Sequence, residues 1–129
     1  VENLAAIDAG YRMAQTAART LAGPGLAVLD DRLPEALLVD SPELLPRLVG
    51  TALGGLMDLP AGDRDTLLET LEELLACGGS PTHAATALFC HRNTVIYRMR
   101  RIEAATGRSI GNPRDRLLLT LGLMAARSS

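Results

Sequence analysis

The chain has no tryptophan and no lysine, and one phenylalanine and two tyrosines are all its aromatics in 129 residues. A core must therefore be built from aliphatic side chains, and every basic residue is an arginine. The two cysteines, Cys77 and Cys90, are too few for a disulfide framework. That excludes the small stapled secreted class and fits a reducing, cytoplasmic setting. The longest apolar run, Leu117 to Ala126, falls well short of the ~20 residues that cross a bilayer. No signal-peptide pattern is present and the first residue is Val1, so a piece of a longer protein is expected. The length suits one domain, or one domain with an appendage, around a real core.

What is present is unevenly distributed. The formal net charge of −2 hides two halves of opposite sign. From Ser80 to Ser129, eight arginines stand against Glu103 and Asp115, a balance of +6. From Val1 to Gly79, five arginines stand against thirteen acids, a balance of −8. A polyanion responds to local charge rather than to the total, so the basic end is the candidate contact surface.

Hydrophobic spacing organises the chain into helices. Asn3 can cap a first helix carrying Leu4, Ile7, Tyr11, Ala14, Ala18 and Leu21, which Gly23-Pro24-Gly25 ends. Leu26–Leu29, bounded by glycine and Asp30-Asp31, reads as a short buried strand that needs a partner from elsewhere. A short helix is expected over Arg32–Val39, and another starting at Ser41-Pro42-Glu43, with Ser41 as its cap, and running to Leu53. Gly54-Gly55 to Gly62 is expected to hinge. Asp63 then caps a helix with Leu67, Leu71, Leu74 and Leu75 on one face and Glu69, Glu72 and Glu73 on the other. Asn112-Pro113 opens a last helix, favoured by Asp115 in its first turn and apolar on almost every side, from Leu117 through Met124.

Between these lies the informative stretch, Ser80 to Ile102. Ser80 and Pro81 start a short helix whose Ala84, Ala85 and Leu88 face inward, and Gly78-Gly79 precede it. A tight turn follows, then a helix over 92–106 with Val95, Met99 and Ile102 as its buried stripe. That stripe turns Arg92, Asn93, Ile96, Tyr97, Arg100 and Arg101 outward. Two helices crossing on small residues, the second carrying arginines at its exposed start, make a helix-turn-helix of the kind that enters the major groove. In such a device Arg92 can bond guanine O6 and N7, while Ser80, Thr82 and Thr94 offer hydroxyls and helix-start amides to phosphates. The same pattern also fits a helical dimerisation or docking module whose arginine face meets an acidic protein.

The string from His91 to Ile102, followed by Gly107, resembles the C-terminal DNA-binding domain of PucR-type transcription factors. Leu67-Leu68-Glu69-Thr70-Leu71 before it and Arg116-Leu117-Leu118-Leu119 after it extend the likeness. The helix pair also resembles that of the nucleoid protein Fis. The resemblance implies a mainly α fold, a Fis-like helical bundle over 59–129. Residues 1–58 are similar to the end of a central α/β regulatory domain plus a linker helix. It implies double-stranded promoter DNA as the partner, with His91 and Arg92 at bases and Asn93, Arg100 and Arg101 among the DNA-binding residues. Ser80, Thr82, Thr94 and Tyr97 fall at the DNA backbone. It further implies a cytoplasmic, nucleoid-associated regulator whose effector, if any, binds an upstream region, while the unpaired strand Leu26–Leu29 and the all-round apolar last helix point to a homodimer. The dimer is expected to bury either the Leu119 and Leu123 face or the segment Leu4 to Leu53.

Further expectations concern particular residues. Phe89 stands where Fis-like turns carry glycine, so the turn is expected to follow another path or to pack Phe89 as a plug. Arg98, on the flank of the buried stripe, could reach DNA or pair internally with Glu72, Glu73 or Glu103, and the internal role is favoured. Arg108, Arg114 and Arg116 fit phosphate steering or plain solvation equally well. Cys77, His83, Cys90 and His91 lack paired metal-ligand spacing, so no metal is expected. Ser80, His83 and Asp63 are not spaced as a nucleophile and base, and no glycine-rich phosphate loop is present, so neither enzyme chemistry nor a cofactor is expected.

Overall fold

The computed structural model describes residues 30–128. The helix expected from Asn3 and the strand expected at Leu26–Leu29 lie outside these residues. Within them the chain is helical, with no strand. The order is α1 (Leu33–Asp40), a 3-10 turn (Pro42–Leu44), α2 (Leu45–Leu53), a 3-10 helix (Gly54–Asp58), α3 (Ala61–Ala76), α4 (Pro81–Leu88), α5 (Arg92–Thr106) and α6 (Pro113–Ser128).

Two helix starts differ from expectation. Ser41 makes no side-chain cap, and Pro42–Leu44 form a 3-10 turn before α2 begins at Leu45. The second proline, Pro46, sits in the first turn of α2, where its missing N–H costs nothing. α3 starts two residues before Asp63, from Pro60, so Asp63 is a first-turn acid favoured by the helix dipole rather than a cap. The Gly54–Gly62 stretch folds as a 3-10 helix leading into α3. Its Leu56 is fully buried, and Gly55 lies so close to the Ala105 carbonyl that a Cβ there would be 3.0 Å from the oxygen.

Aliphatic side chains do build the core. Leu53, Leu56, Leu67, Leu71, Leu74, Val95, Ile102, Ile110 and Leu119 are fully buried or nearly so, and neither described aromatic joins them. Ala84 and Ala85 are buried where α4 crosses α5. The all-round apolar α6 finds its second partner in α2. The two pack face to face, and at Gly122 they come so close that a Cβ would lie 2.6 Å from Ala52 Cβ. A smaller cluster of Leu38, Leu45 and Ala125 fastens α1 to the same helix. Leu119 and Leu123 are buried in the main core, so this pair does not form the open face expected for a dimer.

α4 ends in a Schellman arrangement, in which the Cys90 N–H donates to the Ala85 carbonyl at 3.1 Å. Such caps place a left-handed residue after the helix, usually glycine. Here it is Phe89, at φ 54° and ψ 43°. The turn therefore keeps the ordinary left-handed path, correcting the expectation of a different one, at a cost of about 1–2 kcal/mol for a side chain in that region. Nor is Phe89 a plug, because it is 96% exposed. α5 ends by the same logic with its preferred residue, Gly107 at φ 70°.

Candidate nucleic-acid interface

Local chemistry sets the start of each helix of the pair. The Ser80 hydroxyl oxygen accepts the His83 N–H at 3.3 Å and caps α4, with Pro81 as its first residue. His91 caps α5, accepting the Asn93 N–H on Nδ1 at 3.0 Å. With Nδ1 accepting, a neutral ring carries its proton on Nε2, which is the free outward donor. One side chain thus starts the helix and offers a hydrogen bond beyond it.

Across the turn, Arg92 Nε donates to Thr82 Oγ1 at 3.1 Å. Both side chains are exposed. The bond uses the inner N–H of the guanidinium and leaves its Nη1/Nη2 fork unengaged by any described residue. Asn93, Tyr97 and Arg100 follow at helical spacing along one exposed line of α5, and Tyr97 is 62% exposed. Thr94 is half-buried, its N–H donating to the His91 carbonyl at 3.0 Å. Arg101 stands on the shoulder of that line with Nη2 3.9 Å from Asp63 Oδ2. An exposed pair at that distance contributes at most about 1 kcal/mol, which a phosphate can outcompete. The nine residues singled out from sequence, Ser80, Thr82, His91, Arg92, Asn93, Thr94, Tyr97, Arg100 and Arg101, therefore all lie on the two helix starts and the outer side of α5.

Other arginines are structural. Arg108 donates from Nε and Nη2 to the Thr51 carbonyl, at 3.3 and 3.1 Å, and from Nη1 to Asp115 Oδ1 at 3.1 Å. It ties the loop after α5 to the end of α2. Arg116 donates from Nε to the Ile110 carbonyl at 3.0 Å. These bonds hold both side chains against the fold, while Arg114 stays exposed. Asp115 also accepts the Ser109 N–H at 3.0 Å, and that bond, followed by Arg108, holds its carboxyl below the usual carboxylate range. The internal ion pair expected for Arg98 is not formed with any described residue. Glu72 is taken by Arg127, and Glu103 accepts the Ile110 N–H at 2.9 Å.

Among the described residues, no group of three or more His, Cys, Asp or Glu could hold a metal ion, and no helix is long and apolar enough to cross a membrane. A surface cavity of about 510 Å³ is lined by Pro46, Val49, Gly50 and Met57 among others, and shares no residue with the face of α5.

A short capped helix, a left-handed turn residue and a second helix presenting arginine at its start define a helix-turn-helix domain. Residues 67–125 match the PucR C-terminal helix-turn-helix domain. The chain is 33% identical over 95 residues to the purine catabolism regulatory protein of Bacillus subtilis, covering 74% of this chain and 18% of that one. It is 51% identical over 43 residues to the carbohydrate diacid regulator of Escherichia coli, covering 33% and 11%. The crystal structure of a regulator of polyketide synthase expression from Bifidobacterium adolescentis is similar at TM-score 0.58 and 30% identity, covering 90% of this chain and 48% of that one. The chain spans a fifth or less of the length of the curated relatives it matches.

Proposed function

We propose that this chain binds double-stranded DNA sequence-specifically, as the C-terminal part of a bacterial transcriptional regulator. α5 enters the major groove, and Arg92 and His91 at its start meet base edges. Asn93 and Arg100 extend the contact along the groove. Ser80, Thr82, Thr94 and Tyr97 meet the sugar-phosphate backbone, and Arg101 exchanges Asp63 for a phosphate. The observation that carries this reading is the Arg92–Thr82 bond, which aims an otherwise unengaged Nη1/Nη2 fork from the first turn of an exposed helix. Residues 1–58 belong, on this reading, to the end of a regulatory domain and its linker, and 59–129 deliver the signal to promoter DNA in the cytoplasm as a homodimer.

Selection from a random duplex pool with the full-length protein tests the reading. A single preferred sequence is expected, with binding that weakens steeply as salt rises. Binding to an acidic protein with no base-pair preference would replace this reading with that of a docking module.

A further inference from the structure

We propose that Phe89 is a specificity-determining residue, its ring lying against the C5-methyl group of a thymine beside the base pair that Arg92 reads. The proposal rests on the DNA-binding reading above. Two independent observations motivate it. Phe89 is the one non-glycine residue at positive φ among the described residues, so its backbone is strained. It is also 96% exposed, so its ring gains almost nothing from the rest of the chain in return. Single exposed apolar residues are ordinary on protein surfaces. An aromatic that is both exposed and held where glycine fits best is not, since glycine would satisfy the fold at lower cost.

Position and chemistry then choose the occupant. Phe89 precedes His91 by two residues and Arg92 by three, so the chain holds its Cα within about 11 Å of theirs. A protein partner seated on Phe89 would crowd the start of α5, which DNA binding needs open. In the major groove, the apolar feature a phenyl ring can recognise is the thymine methyl group. Arginine and histidine then read hydrogen-bonding edges while Phe89 reads a methyl.

The test uses the full-length protein and the best duplex from a random pool. Each thymine of that site is replaced in turn by uracil, which removes the methyl and keeps the pairing. Wild type should lose about three- to fivefold in affinity at one thymine, the worth of one buried methyl group. Phe89→Gly and Phe89→Ala should bind the thymine site at that reduced level and show no further loss with uracil. Phe89→Gly should melt no lower than wild type, because glycine takes positive φ freely, so weaker binding there is not a folding defect. A flat uracil scan in wild type overturns the proposal, as does a loss that persists in both variants. Unchanged DNA affinity with an altered oligomeric state in Phe89→Gly assigns the ring to a protein contact instead. If wild type selects no duplex at all, the DNA-binding reading itself fails.

Discussion

Arg92 Nε lies 3.1 Å from Thr82 Oγ1, ten residues back in the chain and on the other helix of the pair. A free arginine carries a large rotamer entropy, part of which is lost when its fork engages a base. Thr82 holds the side chain before any base arrives, so less remains to be ordered on binding. The hydroxyl that resemblance places at the DNA backbone therefore has a second task inside the protein.

Two variants separate these tasks. Arg92→Ala should lose about 1–3 kcal/mol at the preferred site and far less on random duplex. Thr82→Val keeps the shape and removes the acceptor. It should narrow the gap between preferred and random DNA, and in an Arg92→Ala background it should add no further loss of discrimination. Fluorescence titration on both duplexes measures this. Equal losses on the two DNAs for both variants would remove Arg92 from base reading.

The approach of α2 and α6 at Gly122 gives a stability prediction. Gly122→Ala puts a Cβ 2.6 Å from Ala52 Cβ, with the Leu48 carbonyl also near, so α2 and α6 must separate. Overpacking of this kind costs about 1–3 kcal/mol, read as a lower melting temperature. Ala52→Gly in the same chain should recover part of the loss. No change in Gly122→Ala would mean that the two helices pack less tightly than described.

Periodicity and punctuation placed α4 to α6 well, because inward-facing apolar positions and a capping side chain coincide in each, and the aliphatic stripe alone placed α3. The outward line of α5 followed from its buried stripe by geometry alone. Where local rules failed, a contact from elsewhere in the chain had won. Arg108 and Arg116 look like any surface cation in sequence, and only the fold brings Thr51 and Ile110 to them. Leu119 and Leu123 looked available in sequence, and only the packing of the bundle buries them. Asp63 resembled a cap because the Pro60 start carries no capping side chain. Phe89 broke the rule that a turn residue reveals its backbone, and no local signal could have shown that the strained path persists.

The clamp at the end of α5 should respond to acid. Asp115 has its carboxyl lowered by the Ser109 N–H and then by Arg108, so its contribution is complete above the unfolded Asp value, about 3.9, and is lost as pH falls through the folded one. Asp115→Asn should therefore melt a few degrees lower than wild type at neutral pH, with the difference closing below about pH 4. Thermal scans across that range check it. A difference that stays constant down to pH 2 would show that charge is not what the clamp uses.

Assembly is the remaining expectation, and burial now restricts where it can occur. A single helix-turn-helix makes few contacts, whereas a two-fold pair reads half-sites about 34 Å apart on one face of the duplex. With Leu119 and Leu123 buried inside the chain, the segment Leu4 to Leu53 is the surviving candidate of the two expected from sequence. Its described part exposes Leu37 at 73% and Leu44 at 49%. Leu37→Glu would place an unpaired charge in an interface there and should turn a sedimenting dimer into a monomer, while leaving binding to an isolated half-site unchanged. Affinity for the two-half-site duplex should fall with it, because the second contact is no longer intramolecular. A wild type that sediments as a monomer on its own and on DNA ends the dimer reading. A Leu37→Glu variant that still dimerises moves the interface off α1.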